Sequence, residues 1–395
     1  MQRIGVVRFC HLLFVGACFG LLAVPLLTHN WRRDPGIAST ENRQAAPPPS
    51  WPRSWHDLTS WPTQADAYLA DHFGNRTAMV TAFNRIRYRL FGETPSEQTV
   101  FGLHGRLFLT SHIAANPYSL IGFICGLGVD DAMLDRVAAD LDDFLRQARS
   151  RAPESYLMVV PTAPVLYFED LPPWVQAQCS PPNTMDRLLP RLSSELRSYL
   201  FYPLPAMLVA KSRGEVIPLT NFHWRGLGAE VAAASFAEGR LGLPSRITLP
   251  TIEQTLPSDI AFFIPGIPTN NVALDPDFSA AGVDYCTGAA CFPDWSSIAA
   301  IINDVTRVRS PQSGDKKLLV LSDSFGKEMV GWFAPYFGSI WHFSVTYLSR
   351  LSTDDREAFR RHVFTEYRPD VVLYVFHDGS VNYWPHLFAA PALKG

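Results

Sequence analysis

The stretch "KKLLVLSDSFGKEMVGWFAPYF", Lys316 to Phe337, puts one serine where chemistry is feasible. An apolar β-prone run, Leu318 to Leu321, ends on small polar residues and passes straight into helical spacing, so Ser324 stands at the corner between strand and helix. A serine there has two possible roles. It can cap the helix by accepting an orphan N–H. Alternatively it attacks a carbonyl, if a histidine takes its proton and backbone N–H groups at the helix start stabilise the oxyanion. The tetrapeptide alone leaves both open. Two other predicted strand ends carry polar groups: "PLTNFHW", Pro218 to Trp224, offers His223, and "VFHDGS", Val375 to Ser380, ends the last strand. A serine with a histidine to take its proton suits acyl transfer.

Those residues need a frame. From Asp131 onward, amphipathic helical segments alternate with near-continuous apolar runs: "SYLMVVPT", "AMLVA" or "EVIPL", "KKLLVLSDS", "GSIWHFSV" and "PDVVLYVFHD". Such runs between helices predict a parallel sheet covered on both faces, an α/β three-layer fold. In that architecture sites gather outside the carboxyl ends of the strands, where all three segments fall. "TVFGLHGRLFL" reads as a hairpin before the alternation, and "QADAYLADHFGNRTAMVTAFNRIRYRLF" as one or two amphipathic helices. A proline-rich stretch at about 244–314 interrupts the rhythm as an inserted irregular or β-rich lobe.

The chain has 395 residues and a net charge of -3, with no basic face or Lys/Arg run, which argues against nucleic-acid binding. Phe9 to Leu27 is apolar except for His11 and close to the length that spans a hydrocarbon core of roughly 30 Å. It exceeds a cleaved signal core and no clean A-x-A site follows, so the expectation is one N-terminal transmembrane signal anchor; a lipobox-like "VGAC" is the lesser alternative. The expected domains are 1–30, cytoplasmic tip and anchor; 31–56, a Pro-rich linker; and 57–390, the catalytic body with its insertion. Cys125, Cys179, Cys286 and Cys291 lie outside the anchor and allow three connectivities, of which Cys286 to Cys291 with Cys125 to Cys179 is the most economical. No C-x-x-C or H-x-x-x-H occurs, so neither metal nor cofactor is expected.

"LSDSFG" resembles the nucleophile block of SGNH hydrolases, and "TNFHWRGLGA" resembles the D-x-H-W segment of the AlgJ and AlgX proteins of bacterial alginate O-acetylation. "TVFGLHGRLFL", "LMVVPTAPVLYFEDLPPW" and "YRPDVVLYVFHD" are similar to further blocks of that family, in the same order, with the histidine motif ahead of the serine motif. The resemblance implies an SGNH-like O-acetyltransferase on the periplasmic face of the bacterial inner membrane. It would act through an acetyl-serine on hydroxyls of an exported polysaccharide, with a membrane-bound O-acyltransferase as acetyl donor. An acetyl-esterase, or a catalytically impaired glycan-binding component, is the alternative. The family's serine and histidine correspond to Ser324 and His223. Its aspartate corresponds to Asn221, so either Asn221 orients the imidazole without a charge or another carboxylate such as Asp378 is recruited. Ser322 replaces the glycine of the nucleophile block, Ala163 a usual lysine, and His377-Asp378 an often-seen Glu-Arg pair. Trp224 and Trp384 are candidate glycan platforms.

Overall fold

A computed structural model describes residues 2–29, 37, 44–179 and 181–381. The chain forms two compact units, 1–96 with 260–268, and 97–259 with 269–395. The second unit holds every candidate catalytic residue. It begins at Glu97, whereas the sequence predicts a body starting near residue 57. The linker positions 30–36 and 38–43 and Trp384 lie outside the described residues.

The first unit contains the helices Gln2–Leu27, Trp55–Asp71 and Arg76–Phe91. The expected transmembrane anchor is corrected here: the segment is helical, but among the described residues no helix is long and apolar enough to cross a membrane.

Among the described residues the second unit has eleven strands. β1 (Thr99–Phe101) and β2 (Leu107–Leu109) form the predicted hairpin, and β5 (Thr251–Leu256) pairs antiparallel with β6 (Asn271–Pro276). The remaining strands are β3 (Ser155–Val160), β4 (Leu200–Phe201), β7 (Asp284–Thr287), β8 (Val305–Arg309), β9 (Lys317–Ser322), β10 (Ser339–Ser344) and β11 (Val371–His377). They make one sheet ordered β4-β3-β11-β9-β10-β8-β7. The first five are parallel, and β3, β9, β10 and β11 among them are predicted apolar runs while β4 is not; β8 and β7 join antiparallel, so the sheet is mixed at one edge. Both antiparallel strands come from the stretch expected to be an insertion.

Every residue of β3 and β11 is buried, as a strand covered on both faces requires. On one face the helix Asp131–Arg151 presents Leu134, Val137, Ala138, Leu141, Leu145 and Ala148, a 3.6-residue stripe, against Leu157, Val159, Leu319, Tyr374 and Phe376. The helices Leu227–Ala234 and Phe325–Val330 pack together, and the latter lies against β9, β10 and β11. "AMLVA" proves helical, within Leu204–Ala210, and 214–226 carries no strand, so His223 rides on a loop.

That loop is held from the hairpin. Leu107 N–H donates to Leu219 O at 3.0 Å, and the fully buried Arg106 reaches Ile217 O at 3.1 Å, the Asp170 carboxylate at 2.9 Å and Glu215. Its guanidinium also stacks 3.4 Å from the Tyr167 ring centroid. Burial pushes the Asp170 carboxyl up, but hydrogen bonds from His104 and Arg106 outweigh it and hold the group below the usual carboxylate range. Arg106→Leu is therefore expected to destabilise the fold by about 3–5 kcal/mol, because it strands the largely buried Asp170 carboxylate. Urea unfolding measures the loss, and adding Asp170→Asn is expected to recover part of it.

Candidate active site

Ser324 follows β9 by one residue, with backbone angles of φ -61° and ψ -18° at the start of the helix Phe325–Val330. It makes no side-chain capping bond. The helix is capped instead by Asp323, whose Oδ1 accepts from Phe325 N–H at 2.9 Å. This leaves the Ser324 hydroxyl for another partner, and its Oγ lies 2.7 Å from His223 Nε2. Asp323 is also the strap of the turn: its N–H donates to Val375 O at 3.0 Å and its Oδ2 accepts from His377 N–H at 2.9 Å, tying the β9 end to the β11 end.

The other imidazole nitrogen, His223 Nδ1, lies 2.7 Å from Asp259 Oδ2. With the Asp259 carboxylate accepting, Nδ1 carries the proton and Nε2 is the free base toward Ser324. Asp259 further accepts from Phe222 N–H through Oδ1 and from His223 N–H through Oδ2, each at 2.9 Å. Three donors thus fix a carboxylate on the segment after β5.

Neither sequence-derived acid occupies that position. Asn221 faces away from the imidazole: its Oδ1 accepts from Asn271 Nδ2 at 2.8 Å and from Asp259 N–H at 3.3 Å. Asn271 Oδ1 in turn accepts from Thr220 N–H and Oγ1, each at 3.0 Å. The residue two places before the histidine therefore braces the backbone of the acid rather than supplying it. Asp378 is buried at the end of β11, where its carboxylate accepts from Thr162 Oγ1 at 2.6 Å and Thr162 N–H at 3.2 Å, pinning the β3 and β11 ends together. Burial raises its pKa to about 7, against the hydrogen bonds from Thr162, Gly379 and Tyr202 that lower it.

Sequence reasoning missed Asp259 because it lies 36 residues after His223, within the proline-rich stretch expected to be irregular or β-rich. The available signal was "TLPSD", a turn after a β-prone run. Two further expectations need correcting. The N–H groups of Phe325 and Gly326, expected to meet an oxyanion, are already given to Asp323 Oδ1 and to Asp323 O at 3.3 Å. Trp224 is fully buried and donates from Nε1 to Phe325 O at 2.8 Å, so it is a core residue and not a glycan platform.

Ser322 occupies the nucleophile-block glycine position without exposing its side chain. Its Oγ donates to Asp323 O at 2.6 Å and lies 2.8 Å from His342 Nε2, which must then be the donor. Burial lowers the pKa of His342 to about 4 and keeps it neutral. The missing Cβ of Gly326 makes room, since one there would stand 2.0 Å from Ser322 Oγ.

Around His223 burial pulls the pKa down, but the Asp259 hydrogen bond and charge, with the charges of Asp323 and Glu328, outweigh it and raise it above 6.5. Burial raises the Asp323 carboxyl to about 6 despite its two backbone donors. Ser324 opens on a cleft of about 540 Å³ whose walls include Lys327, Asn303, Thr346 and Tyr347. The disulfides Cys125–Cys179 and Cys286–Cys291 are both formed. No group of His, Cys, Asp and Glu among the described residues is arranged to hold a metal ion.

No protein-family profile matches the chain, and no curated protein matches it. Among solved structures it is similar to a DHHW family protein from Eubacterium siraeum, with a TM-score of 0.48 and 17% identity over 76% of this chain and 95% of that one. It is also similar to the O-acetyltransferase domain of Pseudomonas putida AlgJ, at 0.42 and 19% over 72% and 92%. A third likeness is to Pseudomonas aeruginosa AlgX, at 0.41 and 15% over 75% and 67%.

Proposed function

We propose that the second unit is an O-acyltransferase that carries an acetyl group on Ser324 to a polysaccharide hydroxyl. The observation that carries this reading is the continuous relay from Ser324 Oγ through His223 to the Asp259 carboxylate, at 2.7 Å on each side of the ring. In the first half-reaction His223 Nε2 takes the Ser324 proton as Oγ bonds to the acyl carbon. The donor's leaving oxygen departs with that proton, and Asp259 stabilises the intervening imidazolium. In the second, an acceptor hydroxyl entering the cleft gives its proton to Nε2 and its oxygen to the acyl carbon, and Ser324 Oγ leaves with the proton returned. The motif resemblance supports an exported polysaccharide as acceptor and a membrane-bound O-acyltransferase as donor. The two disulfides support an oxidising, extracytoplasmic compartment.

The test supplies purified protein with a chromogenic acetyl ester, with and without oligosaccharide acceptors, and examines the acid-quenched protein by mass spectrometry. Acetyl-Ser324 together with acetylated sugar is the expected result. Acetate alone would make the site an esterase, and absence of acyl-enzyme with no turnover would leave a glycan-binding role.

Because the base must be neutral and its pKa is raised, the acid limb of kcat/KM is expected to have its midpoint above pH 6.5. Glu328→Gln removes one of the charges that raise it, so the limb should move to lower pH in a pH–rate profile. A limb that stays in place would mean Glu328 has no hold on the base.

A further inference from the structure

We propose that the helix Arg76–Phe91 is a docking face for an anionic lipid surface, lying along it rather than crossing it. The helix leaves Met79, Phe83, Ile86 and Leu90 exposed, with relative exposures of 46, 58, 55 and 69%. Spacings of four, three and four residues put these side chains in one sector of roughly 60°. Apolar side chains at this period normally face a core. Here the opposite face does so: the buried Asn84 donates to Pro265 O at 3.0 Å, and Arg85 Nε donates to Gly266 O at 2.7 Å. Gly266 comes so close that a Cβ on it would stand 2.7 Å from the Thr81 backbone. The helix is thus fixed to its own unit by one side, and the apolar stripe is the side turned out.

Charge selects the occupant. The sixteen residues hold Arg76, Arg85, Arg87 and Arg89 and no Asp or Glu. On the helical wheel Arg76 and Arg87 flank the stripe on one side and Arg89 on the other, while Arg85 lies on the face held to Gly266. Glu93, beyond the helix, pairs with Arg87. An apolar stripe bordered on both sides by cations is the pattern that lies in a lipid interface, with the arginine stems along the apolar surface and the guanidinium groups among anionic headgroups. The preceding helix, Trp55–Asp71, has its own exposed Trp55, Leu58 and Leu69.

The test uses the full chain with Cys10→Ser and Cys18→Ser, carrying a polarity-sensitive fluorophore on Phe83→Cys or, as a control off the stripe, on Ala78→Cys. Vesicles are phosphatidylcholine alone or with 30 mol% phosphatidylglycerol, a mixing ratio chosen to be roughly that of an anionic membrane, each with and without nitroxide-bearing lipid. A blue shift and nitroxide quenching at position 83 but not 78, stronger with phosphatidylglycerol, is expected. Arg89→Glu exchanges a cation for an anion and should weaken that partitioning roughly 30-fold. Equal quenching at both positions, no shift at 83, or indifference to Arg89→Glu would overturn the proposal. So would a shift at 83 that follows protein concentration without lipid, which would put a second copy on the stripe.

Discussion

Ser324→Ala is expected to lower kcat by about six orders of magnitude while leaving thermal unfolding unchanged. The size follows from the chemistry: without Oγ there is no covalent route, and in a serine–histidine unit loss of the nucleophile alone costs about as much as loss of the whole set. The unchanged stability follows from the local structure. Ser324 makes no capping bond, and the helix start is held by Asp323 Oδ1 and Asp323 O, which the substitution does not touch. A cap lost to alanine would instead cost about 1 kcal/mol and be visible in the melting curve. Steady-state turnover of an acetyl ester, read beside the melting temperature, separates the two roles. Acyl release at the native rate from Ser324→Ala would remove the serine from the chemistry altogether.

Asp259→Asn is the second large effect, about 10⁴ in kcat. The amide keeps an acceptor oxygen but brings no charge to the imidazolium, and its Nδ2 can turn to His223 and select the wrong tautomer. Loss of the carboxylate should also lower the pKa of His223, because the hydrogen bond and the charge of Asp259 do most to hold it up against burial. The acid limb of the pH–rate profile should therefore move to lower pH as the plateau falls. Asn221→Asp is the informative contrast. Were Asn221 a weakened triad member, restoring its carboxylate would raise the rate. Because its Oδ1 serves Asn271 and the Asp259 N–H, a second negative charge beside Asp259 is expected to bring no gain. A rate increase in Asn221→Asp would show that position 221 can reach the base.

Two further carboxylates add a stabilising constraint of their own. Asp323 and Asp378 close the ends of β9, β11 and β3 through backbone N–H groups and Thr162, so the turn carrying Ser324 is braced from two neighbouring strands. The proposed transfer requires such support for a serine held at 2.7 Å from the histidine, since small misplacements of reacting groups are costly.

Much of this was written locally. The turn at Ser324 was legible because an apolar β-prone run gives way to helical spacing within a few residues, and β3, β9 and β11 because strands covered on both faces must be apolar throughout. His223 was legible as a residue, but not its carrier: "AMLVA" fits helix and strand alike, and tertiary packing chose helix. The acid was beyond local reading. Which carboxylate meets His223 Nδ1 depends on how the chain returns through β5 and β6 and on the Asn221–Asn271 bond that turns the nearer residue away. A hydrogen bond requires its two atoms within about 3 Å whatever their separation in the chain, so the residues determine which groups are available while the tertiary path decides which pair forms.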